Sequence, residues 1–211
     1  HQGARSLGLP LEDVVIDDER LWSEIPEILF SLESSRVMDL EIGIPFYYAA
    51  KRASELGIEL ILSGQGPDEL FAGYARHVRI FSNNGPKSLH DELLDELRIT
   101  HEANIARDHH VVAHHGAAAF FPYIYREFID RAISLPPEWK VAPDDNPERK
   151  VIFIELAKRL NLSKEIALQP KSATQYSSGS KRMLMRVLSR YGYREQELSI
   201  RKTRVQSQII I

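Results

Sequence analysis

Leu60-Ile61-Leu62-Ser63-Gly64-Gln65-Gly66-Pro67-Asp68-Glu69-Leu70-Phe71-Ala72-Gly73-Tyr74 decides how the rest of the chain is read. The apolar, β-branched run from Ile58 to Leu62, bounded by Gly57 and Gly64, predicts a buried strand of a parallel sheet. Two glycines follow, with Gln65 between them. Gly64 and Gly66 are free to take positive φ and to let a ligand approach the backbone. Pro67 suits the first turn of a helix, and Asp68 and Glu69 suit its positive N-terminal end. A strand-loop-helix junction of this kind is where open α/β sheets bind ligands. On residue types alone, an ordinary strand-to-helix turn reads equally well.

Working outward, residues before the motif alternate between the two periodicities. His1 to Asp17 reads as the end of a helix running into a strand, Val14-Val15-Ile16. Leu21, Ile25, Ile28, Leu29 and Leu32 have helical spacing. Gly43 and Pro45 predict a break over Asp39 to Pro45, and Phe46 to Leu56 reads as a helix closed by Gly57. Strand, helix, helix, strand is a βαβ-type unit, which implies a parallel sheet. A chain that opens on the end of a helix predicts further residues upstream of His1.

After Tyr74, Phe81 to Ser88, with Ser82, Asn83, Asn84, Gly85 and Pro86, predicts a loop and a seam. From there the patterns are helical: the Leu89-Leu93-Leu97 stripe, then Glu127 to Leu135, Glu148 to Leu160, Ser163 to Leu168 and Lys181 to Tyr191. Ile209-Ile210-Ile211 reads as a last strand or an interface patch. The expected division is 1–80, an N-terminally incomplete α/β nucleotide-binding part, and 81–211, a helical substrate-side region with a basic tail.

With 211 residues, 43% of them hydrophobic, the chain can bury a sizeable core. A net charge of -3 gives no global basic field for nucleic acid or an anionic membrane. The lack of cysteine excludes disulfides, thiolate catalysis and cysteine-ligated zinc, and agrees with a cytoplasmic setting. No apolar run approaches the roughly 18 residues of a membrane span.

Ser63 to Tyr74 resembles the Ser-Gly-x-Gly-x-Asp-Glu-Leu-Phe-x-Gly-Tyr motif of the synthase domain of asparagine synthetases, members of the N-type ATP pyrophosphatase group. Further stretches are similar to that family: Arg5 to Pro10, Met38 to Tyr48, Arg107-Asp108, Leu135-Pro136-Pro137-Glu138-Trp139-Lys140, Gln169-Pro170-Lys171 and Ser178-Gly179. The resemblance implies an α/β, Rossmann-like parallel sheet followed by a helical region. It also implies a carbon-nitrogen ligase that activates a small-molecule carboxylate with ATP and Mg2+, releases pyrophosphate and accepts ammonia. In that reading the backbone of Ser63, Gly64, Gln65 and Gly66 meets the nucleotide beside Asp68 and Glu69. Asp68 is the magnesium ligand, and Lys171 with Gln65 forms the catalytic pair.

The chain also departs from the family pattern. The Ser-Gly-Gly-x-Asp-Ser phosphate loop is absent from the 211 residues and is expected upstream. Gln65 stands where the family has a glutamate and cannot transfer a proton. Glu41 replaces an arginine near the substrate carboxylate, which argues against aspartate in the usual pose. Ala118, Phe120 and Tyr125 replace Glu, Arg and Asp of a second motif. No glutaminase segment is present, so ammonia is free or comes from a separate glutaminase subunit. A homo-oligomer stays open. Two alternatives remain, a catalytically degenerate nucleotide-binding or interaction protein and a tRNA-modifying ligase.

Two clusters lie outside the resemblance. His109, His110, His114 and His115 place His110 and His114 on one helix face, a spacing that can ligate zinc or simply hold hydrogen-bonded histidines. The basic residues from Lys181 to Arg204 read as a solvated helix face rather than an RNA surface.

Overall fold

The computed structural model describes residues 1–142, 148–169 and 172–193. The elements are α1 Gln2–Leu7, α2 Asp18–Leu32, α3 Val37–Glu55, β1 Leu60–Leu62, α4 Pro67–Leu70, α5 Ala75–Thr100, α6 Ala106–His114, β2 Ala118–Phe120 and α7 Arg126–Ser134. They continue with β3 Val141–Ala142, β4 Glu148–Arg149, α8 Val151–Arg159, α9 Lys164–Ala167, α10 Thr174–Ser177 and α11 Ser180–Arg190. The chain is mostly helical, with β1 and β2 forming a two-stranded parallel sheet and β3 and β4 an antiparallel pair. The larger Rossmann-like sheet expected from the sequence is not present among the described residues.

Four local expectations are corrected. Val14 to Ile16 is not a strand. Strand β1 is short, and Leu60 and Leu62 are more than half exposed, so the run is not buried. The break expected at Asp39 to Pro45 is interior helix. There a Cβ on Gly43 would lie 2.5 Å from Leu32 Cδ2, so glycine lets α2 and α3 approach closely. Pro45 cannot donate to the Glu41 carbonyl, and the Ser180 hydroxyl donates to that carbonyl instead, at 2.5 Å. The loop expected at 81–88 is inside α5. Its break is confined to Gly85 (φ 83°, ψ 178°), a positive-φ conformation that glycine takes without steric cost, and Pro86 opens the next turn.

The described residues form two compact units. The first takes 1–12, 62–105 and 120–169. Leu89 and Leu93 of the predicted stripe are fully buried there with Ala72 and Val141, while Leu70, Phe71 and Ala132 form a second cluster with Phe153. Lys140 is also fully buried, and its Nζ has no hydrogen-bond partner among the described residues. Burial lowers its pKa to about 8.

The second unit takes 13–61, 106–119 and 172–193. Its core joins α2, α3, α6 and α11 through Leu21, Ile28, Ile44, Tyr47, Tyr48, Val111, Leu184 and Val187. Part of the basic stripe of α11 is paired. Arg186 meets Asp18 at 2.9 Å through Nε, and Arg190 meets Glu19 at 2.8 Å. Asp18 and Glu19 sit in the first turn of α2, where their charge also suits the helix dipole. Residues 194–211, including Arg201, Lys202, Arg204 and Ile209 to Ile211, lie outside the described residues. Among the described residues no helix is long and apolar enough to cross a membrane.

Candidate active site

The glycine loop and its surroundings belong to the first unit. The Ser63 N–H donates to the Phe120 carbonyl at 2.9 Å, so this amide is used by the parallel sheet and only the Ser63 hydroxyl is left to offer a ligand. Gly66 takes φ 110°, and a Cβ there would lie 2.6 Å from Ile124 Cδ1. Glycine is therefore needed at Gly66. Gly64 differs from expectation: it has no positive φ, and a Cβ would meet nothing within 4 Å. Gln65 is half-buried. Pro67 opens α4, with Asp68 and Glu69 in its first turn as expected.

The two acids of that turn have different fates. Glu69 is buried, and the Tyr74 hydroxyl donates to its Oε1 at 2.6 Å. Burial raises the Glu69 pKa, and the Tyr74 hydrogen bond does not fully offset it. Tyr74 is itself pushed up, first by burial and then by Glu69. Glu69 therefore closes the turn by holding the last residue of the motif. Asp68 points elsewhere, and Lys150 Nζ lies 2.7 Å from its Oδ1.

Gly73 makes that meeting possible. A Cβ at Gly73 would lie 1.9 Å from Asp68 Oδ1 and 2.4 Å from Lys150 Cε. Arg149 Nη1 donates to the Gly73 carbonyl at 3.2 Å, so two consecutive basic residues grip one glycine. Lys150 itself is left-handed (φ 57°) where β4 passes into α8, which turns its side chain out of the strand direction. Behind the turn, Tyr74 N–H donates to His77 Nδ1 at 3.4 Å, and His77 Nε2 faces Glu96 Oε1 at 2.9 Å. Burial raises the Glu96 pKa, but His77 and then Arg76 outweigh it and hold this carboxyl below its usual range.

Asp68 fits magnesium as a single carboxylate donor, since that ion takes one or two carboxylates and completes its shell with phosphate and water oxygens. Glu69 does not fit, because it is buried against Tyr74. Among the described residues no group of three or more ligating side chains could hold a metal by itself.

The remaining predicted residues fall as follows. Lys171 lies outside the described residues. Glu41 is in the second unit, buried, with Lys181 Nζ at 3.5 Å from its Oε1. The histidine run is also in the second unit and does not converge. His114 pairs with Glu27 at 3.2 Å, His110 with Glu33 at 3.6 Å, and His115 packs edge-on to Tyr47. Lys150 was missed by the sequence reading. Its only sequence signal is Arg149-Lys150 immediately before an apolar helix, a pattern that does not name a partner.

A family model described as asparagine synthase matches residues 1–88 and 81–205. A Methanocaldococcus jannaschii protein assigned as glutamine-hydrolyzing asparagine synthetase 1 is 30% identical over 93% of this chain and 41% of its own length. Escherichia coli (strain K12) glutamine-hydrolyzing asparagine synthetase B is 26% identical over 71% of this chain and 26% of its own. Arabidopsis thaliana glutamine-hydrolyzing asparagine synthetase 3 is 28% identical over 57% and 20%, so the chain spans less than half of each of these relatives.

Proposed function

The chain belongs to the asparagine synthase family, and from that premise we propose that it is the synthase part of an ATP-dependent amide-forming ligase. A substrate carboxylate oxygen attacks the α-phosphorus of ATP. The bond to the bridging oxygen breaks, and pyrophosphate leaves. Ammonia then attacks the acyl carbon of the resulting adenylate, loses a proton and expels AMP. The observation that carries this reading is the meeting of Asp68 and Lys150 over Gly73, at the end of the glycine loop.

Each residue has a role in the proposal. The Gly64, Gln65 and Gly66 backbone, with the Ser63 hydroxyl, receives the nucleotide. Asp68 holds Mg2+, which would supply neutralising charge to the triphosphate. Lys150 balances Asp68 before ATP arrives and turns to the phosphates once it is bound, where a preorganised cation stabilises charge moving onto pyrophosphate. Lys171 joins it on the leaving pyrophosphate. Gln65 donates a hydrogen bond at the reacting centre rather than moving a proton. The relatives are glutamine-hydrolyzing enzymes by name, which supports glutamine as the ammonia source, through a glutaminase segment or subunit. A cytoplasmic location is part of the same proposal, and a homo-oligomer stays open.

The test is pyrophosphate release by the purified protein with ATP, Mg2+ and ammonia across a carboxylate panel. Release that depends on one class of carboxylate is expected. ATP binding without any release would favour the degenerate alternative.

A further inference from the structure

The first unit contains a cavity of about 760 Å3 next to the Asp68–Lys150 pair. That size is within the range of about 300–1,000 Å3 typical of small-molecule pockets. Its two ends differ in chemistry. At one end are Gly73, Arg149 and Lys150; Lys150 meets Asp68, and Arg149 donates to the Gly73 carbonyl. The rest of the wall is largely apolar and comes mainly from α8, α9 and the turn between them.

Helix α8 explains the apolar wall. Phe153 stacks on Phe71 at 4.8 Å and belongs to the cluster beneath the motif. It also lines the cavity, together with Ile154, Leu156 and Leu160. None of the α8 residues is fully buried, and Leu156 and Leu160 are 43% and 66% exposed. Scattered exposed leucines are ordinary, but these share one concave surface with the Arg149 guanidinium, which is the pattern of a binding site.

We propose that this cavity receives the apolar chain of the acid substrate, so that the substrate class is a monocarboxylate with an alkyl or aryl tail. Its carboxylate lies at Arg149, which leaves Lys150 to Asp68 and the phosphates. The cavity lining carries one acid, Glu148, and Asp68 beside it holds Lys150, so Arg149 is the cation offered to the carboxylate. Aspartate fits poorly, because its second carboxylate and its ammonium would lie against leucine and isoleucine without partners. The fate of the bound carboxylate rests on the ligase reading, whereas binding itself does not.

The experiment is a calorimetric titration of the purified protein with butanoate, hexanoate, octanoate and L-aspartate, with pyrophosphate release measured in the same samples. Affinity is expected to rise roughly fourfold per added methylene, the gain from burying one CH2. Leu160→Asp, at an exposed position where folding is not at stake, is expected to weaken octanoate at least tenfold. Equal affinity for the three alkanoates, or octanoate binding unchanged in Leu160→Asp, overturns the inference. Pyrophosphate release with aspartate and no octanoate binding sinks the pocket but leaves the ligase reading. Chain-length-dependent octanoate binding without release supports the pocket and sinks the ligase.

Discussion

The glycine loop of the first unit and the histidine run of the second both look like chemistry in the sequence, and the structure treats them oppositely. The histidines are adjacent along the chain, yet each paired one finds a separate glutamate, and nothing converges. The loop gains its key partner from far along the chain, because Gly73 leaves room for Asp68 and Lys150 to touch. Proximity in sequence therefore did not bring the histidines onto one point, whereas a side chain withheld at one position let two distant residues meet.

The comparison breaks first if Gly73 is not the hinge of that convergence. Gly73→Ala places a methyl where Asp68 and Lys150 meet, so the pair must separate. A displacement of that order should lower pyrophosphate release by about 100-fold. Activity within twofold of wild type would detach the pair from function.

Lys140 sharpens the contrast between a paired and an unpaired lysine in one unit. Its folded pKa, about 8, lies below the ordinary 10.5. A depressed base costs stability below its folded value, and the cost vanishes as pH rises through the unfolded value. Lys140→Met should thus stabilise the protein by roughly 3 kcal/mol at pH 7, at about 1.4 kcal/mol per unit. The advantage should fade between about pH 8 and 10.5, as read by urea unfolding across pH.

Tyr74→Phe should cost about 1–3 kcal/mol by leaving the buried Glu69 oxygen without its donor. Glu69 is already raised by burial, and losing the donor raises it further. Stability from a raised carboxyl is present below its unfolded value near 4.5 and is lost as pH rises through the folded value. The deficit of the variant should therefore be larger at pH 7 than at pH 4. At the bottom of the scale, His114→Ala should change stability by about 0.5 kcal/mol or less, since it removes a partly exposed pair. Its melting temperature should be indifferent to zinc, and a zinc-dependent shift in the parent would reinstate the metal reading.

What was legible in the sequence was local. Pro67, the acidic first turn and the positive φ at Gly66 follow from residue types, and the Leu89-Leu93 stripe follows from spacing. What was not legible depends on partners supplied by folding. The Gly43–Pro45 segment reads as a break until Leu32 fills the space beside the glycine and Ser180 replaces the donor that proline lacks. Gly85 and Pro86 read as a loop, but one glycine at positive φ accommodates the proline and the helix resumes. Leu60 and Leu62 read as core because a short apolar run carries no mark of how much will cover it. Lys150 was invisible for the same reason: a basic pair before a helix says nothing about an aspartate that only the fold brings near.

The most direct test of adenylation is to supply the protein with ATP, Mg2+, ammonia and a carboxylate substrate labelled with oxygen-18, and to weigh the AMP formed. Attack of the carboxylate on the α-phosphorus leaves one substrate oxygen in AMP, so the account predicts AMP carrying a single label, with its formation reduced by about 10²–10³ in Lys150→Met. Unlabelled AMP, or labelled AMP formed equally well by Lys150→Met, would contradict it.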